Sequence, residues 1–139
     1  MYDEYSRQAL PPKKYRELLG SAICVFNSNN HFVIEKILRV DSSSHSWYDL
    51  IDKTSGQLTP SIKETITRNS DSSIADLFSS LTSKRNRIIH SFQVTENGEQ
   101  ILRTKTKDHD QFTITESYLL EFIRDNENLS SMLYSFRGH

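Results

Sequence analysis

Cysteine is almost missing from this chain. Cys24 stands alone among 139 residues, which excludes an intrachain disulfide and a cysteine-based zinc site and fits a reducing compartment. Glycine and proline are scarce, at four and three positions, and no glycine-rich phosphate loop is present. No apolar run approaches the roughly eighteen residues of a membrane span. The N-terminal MYDEYSRQALPPKKY lacks the basic-then-apolar layout of a signal peptide. An excess of either charge sign is lacking, with a formal net charge of −1, so nothing global draws the protein to nucleic acid or anionic membrane. There is no paired acidic motif. His31 and His45 have no partners at ligand spacing, and Asp108-His109-Asp110 reads as a polar turn, so neither metal nor cofactor is expected. What is present is aromatic: one Trp, six Tyr and seven Phe within 35% apolar and 25% charged residues. That is the composition of one globular cytoplasmic domain over 1–139 and not of a disordered chain.

Pro11-Pro12 closes a short N-terminal arm over 1–12. From Lys13, apolar residues recur at Tyr15, Leu18, Leu19, Ala22, Ile23 and Phe26, a helical stripe that resumes in phase at Val33, Ile34, Ile37 and Leu38. One long helix over roughly 12–40 is expected, weakened at 27–31, with Cys24 on its inner side. SWYDLIDK forms a shorter helix ended by Gly56, and Pro60 bars early resumption. The next strong helix starts near Asp71 as N-cap, with a stripe of Ile74, Leu77, Phe78, Leu81, Ile88, Ile89 and Phe92. Asn97-Gly98 and two alternating stretches, ILRTKTK and QFTIT, predict a hairpin or two over 93–114. Thr113 and Glu116 have capping-box spacing before the last helix, which carries Leu119, Leu120, Phe122, Ile123, Leu129, Met132, Leu133 and Phe136. The expected fold is mainly α, a helical bundle with a β insertion before its final helix.

Charge is uneven along this layout. Residues 81–107 carry six Lys/Arg against two Glu, and 108–139 carry six Asp/Glu against two Arg. The basic segment opens with KRNRIIHSF. Arg85 falls in the apolar stripe, four residues after Leu81 and three before Ile88. A guanidinium in a core must snorkel out, pair with a carboxylate, or face a cleft where an anion arrives. Asn86 and His90 sit one turn apart on the adjoining face, continuing Ser79 and Ser83, a line of polar side chains that lets another subunit approach. Arg85 and His90 are separated by roughly 7.5 Å of helical rise. Imidazole serves as acid or base near neutral pH, and guanidinium clamps phosphoryl oxygens. That is the chemistry of metal-free RNA cleavage, one imidazole short unless a two-fold dimer supplies the second.

RNRIIH resembles the R-x-x-x-x-H motif of the HEPN superfamily, in its common form with Asn after Arg and the motif late in a helix. The resemblance implies an up-and-down helical bundle over roughly 13–136 that dimerises with two motifs facing across a cleft. It implies a metal-independent endoribonuclease of toxin–antitoxin, abortive-infection or CRISPR type, with RNA as substrate and an antitoxin or defence-system protein as partner. By position, Arg85 would contact the scissile phosphate, His90 would be the acid/base residue, and Asn86 would orient or bind nearby. In some members a Tyr two residues after the His accepts AMP groups; Phe92 stands there in this chain. Lys84 and Arg87 flank the motif and are expected to be solvated or phosphate-steering and not catalytic. Arg103, Lys105 and Lys107 are expected on one strand face, about 6.6–7 Å apart in successive pairs, to hold RNA. Two other accounts are open: a non-catalytic HEPN module that dimerises and binds a nucleotide or partner protein, and a plain scaffold. In the scaffold, Arg85 would pair with Glu121 or Asp125, and His90 would be a helix-end cation.

Overall fold

The computed structural model describes residues 6–136. Residues 1–5 of the expected arm and 137–139 of the acidic segment lie outside the described residues. The stripe from Tyr15 onward becomes one helix, α1 (Lys13–Val40), of 28 residues, roughly 42 Å long at 1.5 Å per residue. Its polar middle does not break it because two asparagines find partners. Asn29 is buried and donates to the Asn126 carbonyl at 2.7 Å and side-chain oxygen at 3.1 Å, while the Asn30 oxygen accepts from Ser55 at 2.6 Å. Cys24 is exposed, contrary to expectation. With Ala22 and Phe26 on the buried flank, a helix turning about 100° per residue carries position 24 to the opposite side. The helix stops where the Asp41 carboxylate gathers the Ser43 hydroxyl and the backbone N–H groups of Ser44 and Ser43. These donors hold its pKa down at about 2.

The chain continues through α2 (Trp47–Asp52) and a 3₁₀ turn, Ser55–Leu58. Pro60, expected to delay the next helix, instead opens it. Helix α3 (Thr59–Ile62) runs on as a π-helical turn, Lys63–Thr67, with Pro60 in the first turn, where proline's missing N–H has no partner to lose. Leu58, Ile62 and Ile66 form its buried stripe. Helix α4 (Ser73–Ile89) follows. Asp71 accepts from both the backbone N–H and the hydroxyl of Ser73, which lowers its pKa, but the capping position itself belongs to Ser72. Ile89 and Phe92 do not extend the inner stripe; they are 53% and 42% exposed. The helix ends at Ile89 and Phe92 already opens a strand, so Ile88 takes the last core position.

Three antiparallel strands follow in the order β1 (Phe92–Glu96), β2 (Glu99–Lys105) and β3 (Gln111–Thr113). Asn97 and Gly98 both have positive φ, 52° and 78°, the backbone of a tight two-residue hairpin turn. The last helix, α5 (Glu116–Ser135), is capped by Thr115, whose hydroxyl accepts the Tyr118 N–H at 3.0 Å. Thr113, expected to cap it, is instead paired with Arg103 in the sheet.

Three contacts fix the direction of the long helices. Along α1, Tyr15 donates to the Ile114 carbonyl, Asn29 to Asn126, and Lys36 to the Phe136 carbonyl, so α1 and α5 run parallel. Helix α4 runs against both: Lys84 meets Asp125, while Ile74 shares a cavity wall with Met132 and Phe136. The rings of Phe78 and Phe122 flank Phe26 at 6.0 and 6.2 Å, joining the three helices in one core. The structure is thus mainly helical with a small sheet before the last helix. The sheet lies at the end where α1 begins, held by Tyr15, whose oxygen also accepts the Leu102 N–H.

Candidate functional site

The last two turns of α4 carry cations on two different faces. On the inner face, Leu81 and Ile88 are buried and Arg85 lies between them. Its guanidinium carbon sits 4.9 Å from the centre of the Phe26 ring, a cation–π contact worth about 0.5–2 kcal/mol. Its Nε is buried without a hydrogen-bond partner, and burial lowers the pKa of the group. Asp125 does not pair with it; that carboxylate lies 3.5 Å from Lys84. Among the described residues, no carboxylate neutralises Arg85.

His90 occupies the C-cap of α4, where its backbone N–H bonds the Asn86 carbonyl at 3.0 Å. Its side chain is exposed and has no hydrogen-bond or ion-pair partner among the described residues. Five residues of helix separate the Arg85 and His90 positions by about 140° around the axis. Arg85 therefore turns inward over α1, while half-buried Asn86 and exposed His90 continue the line of exposed Ser79 and Ser83.

The second face opens a cleft of about 430 Å³ between α4 and the turn after β2, lined by Ser83, Lys84, Asn86, Arg87, Thr106 and Lys107. Arg87 bridges its walls by donating from Nη1 to the Lys105 carbonyl at 2.5 Å. Lys107 is not on the strand face that the alternation predicts. Strand β2 ends at Lys105, and the chain then folds back as Thr106 N–H bonds the Asp110 carbonyl and His109 N–H bonds the Thr106 carbonyl. His109 takes a φ of 71° there. This turn brings Lys107 to the α4 side. Arg103 and Lys105 keep a common face by strand alternation, but Arg103 faces Glu96 at 3.8 Å and Thr113 at 3.5 Å. Lys105 is exposed. The structure thus collects Lys84, Asn86, Arg87 and Lys107, and leaves Arg85, His90, Arg103 and Lys105 off the cleft wall. Ser83 and Thr106 complete the lining; sequence reasoning read Ser83 only as a spacer and Thr106 not at all.

Asp108, His109 and Asp110 are exposed in the turn, and among the described residues no three His, Cys, Asp or Glu side chains gather around one point. No helix of the described residues is long and apolar enough to cross a membrane. Comparison of the chain with known protein families, with curated proteins and with solved structures found no match.

Proposed function

We propose that this protein is a metal-independent endoribonuclease of HEPN type, built as that superfamily's up-and-down bundle and acting in a bacterial toxin or phage-defence setting in the cytoplasm. One observation carries the reading. A guanidinium is held half-buried, stacked on Phe26 and without a carboxylate, five residues before an exposed imidazole at the end of the same helix. Leaving a cation unpaired in such a place costs stability, which selection tolerates where an anion is to be bound. Arg85 then balances the charge that builds on the phosphate, and His90 moves the proton of the attacking 2′-hydroxyl or of the leaving 5′-oxygen.

A homodimer completes this chemistry. The polar line of Ser79, Ser83, Asn86 and His90, exposed except at half-buried Asn86, is flanked by exposed Ile89 and Phe92, a surface on which a second copy would supply the second imidazole. A stable interface of this kind buries on the order of 1,200–2,000 Å². A cognate antitoxin or defence-system protein is the further partner of this reading.

A second reading, a non-catalytic module that dimerises and binds a nucleotide or partner protein, draws support from Arg85 lying off the basic cleft. Incubation of the purified protein with structured and unstructured RNA in EDTA separates the two. The nuclease leaves 2′,3′-cyclic phosphate ends, spares RNA carrying 2′-deoxy at the scissile residue, and loses activity in His90→Ala. Intact RNA throughout assigns the second reading.

A further inference from the structure

The cleft beside the motif has a chemistry of its own. Its wall holds three cations, Lys84, Arg87 and Lys107, with the amide of Asn86 and the hydroxyls of Ser83 and Thr106. No carboxylate and no aromatic ring belongs to that lining. The first absence leaves the positive charge available to an anion. The second leaves no aromatic platform for a base, the commonest means by which proteins grip nucleobases in single strands. Arg87 is fixed by its bond to the Lys105 carbonyl, yet that bond leaves most of its N–H donors uncommitted. A guanidinium held this way loses little freedom when it meets a phosphate. Lys84 is only loosely engaged, 3.5 Å from a part-buried Asp125, and its ammonium has further donors to offer an anion.

We propose that this cleft is a sequence-independent holding site for the sugar–phosphate backbone of single-stranded RNA. Lys84, Arg87 and Lys107 take the phosphates, and Asn86, Ser83 and Thr106 hydrogen-bond phosphate or 2′-hydroxyl oxygens. The site rests on the ribonuclease reading for its substrate but performs no chemistry itself. It places the strand against the face of α4 that leads to His90, one turn beyond Asn86. The turn after β2 forms the second wall, so the small sheet is part of the RNA path.

The test is RNA binding by fluorescence anisotropy in a His90→Ala background, where the strand stays intact. Lys84→Gln with Lys107→Gln should weaken binding about tenfold and make the salt dependence shallower by about 1.4 in log–log slope, two lost contacts at roughly 0.7 each. Lys63→Gln with Arg68→Gln removes the same charge from an exposed site elsewhere and should stay within about twofold. Uridine-only and adenosine-only strands should bind alike, and millimolar 5′-AMP should not displace them. Unchanged affinity in the cleft variant, equal loss in both double variants, strong preference for one base, or displacement by 5′-AMP would each overturn the proposal. So would a cleft that binds polyglutamate and ignores RNA, which assigns it to an acidic protein segment. The two readings fail separately. Cleft-dependent binding by a wild-type protein that never cuts RNA sinks the nuclease alone, whereas cutting with cleft-independent binding sinks the holding site alone.

Discussion

Two polar features lie within the same helical core and are treated in opposite ways. Asn29 and Asn126 are 4% and 1% exposed, and their donors are met. Asn29 donates to Asn126, and Asn126 donates to the Phe122 carbonyl at 2.9 Å. Arg85, reaching over Phe26 a turn away on α1, has a buried Nε without a partner and no carboxylate beside it. Leaving a buried polar group unsatisfied costs about 1–3 kcal/mol, a cost that the Arg103 Nε and the Thr104 hydroxyl carry as well. In the ribonuclease proposed here, the partner of Arg85 is the phosphate of the RNA. The asparagine pair fastens α1 to α5 in register, and Arg85 is held ready by the same packing.

The comparison breaks most visibly at the imidazole. His90→Ala should lower RNA cleavage by about 10²–10⁴-fold, the usual contribution of a general acid or base. It should leave the melting temperature alone, since the side chain is exposed and partnerless. Initial rates and thermal melts on the same preparations check both halves. Asn29→Ala should do the reverse. It strands the Asn126 side-chain oxygen in the core and should cost about 1–3 kcal/mol in urea titration, with cleavage well below the melting point near wild type.

Tyr15→Phe sharpens the same contrast at the sheet end. Burial raises the Tyr15 pKa, consistent with a neutral hydroxyl that donates to the Ile114 carbonyl at 2.6 Å. Removing it should cost about 1–2 kcal/mol, read by denaturation. The smallest effect belongs to Asp41. Its folded pKa, about 2, lies below the ordinary carboxylate value. Its contribution is therefore complete above the unfolded-state value near 4 and fades as pH falls toward 2. The melting difference between wild type and Asp41→Ala should be largest above that window and close toward pH 2.

Much of this arrangement is legible in the residues, where local physics decides. The phase of Tyr15, Ala22, Phe26, Val33 and Ile37 carries α1 across its polar middle, and Asn97-Gly98 dictates the hairpin turn. The break that Arg85 makes in its stripe is visible as well. What could not be read depends on how elements dock. The stripe of Ile88, Ile89 and Phe92 cannot reveal that the helix ends between the second and third. ILRTKTK alternates past Lys105, yet the ladder stops there because β3 pairs only Arg103 to Lys105 with Thr113 to Gln111. That sends Lys107 to α4. Pro60 was open to a better reading, since Leu58, Ile62 and Ile66 at spacing four mark a helix with proline in its first turn. The stacking of Arg85 on Phe26 needs two helices in contact and is invisible in either alone.

Arg85→Met tests the central claim most directly, because it separates what the fold needs from what the chemistry needs. Methionine keeps an unbranched apolar stem on the Phe26 side and removes the unpaired charge. Melting temperature and EDTA-resistant RNA cleavage should be measured on one preparation. The expected result is a melting temperature unchanged or up to about 3 °C higher, with cleavage reduced about 10²–10³-fold. A lowered melting temperature with cleavage retained would contradict it, and would make Arg85 a structural residue.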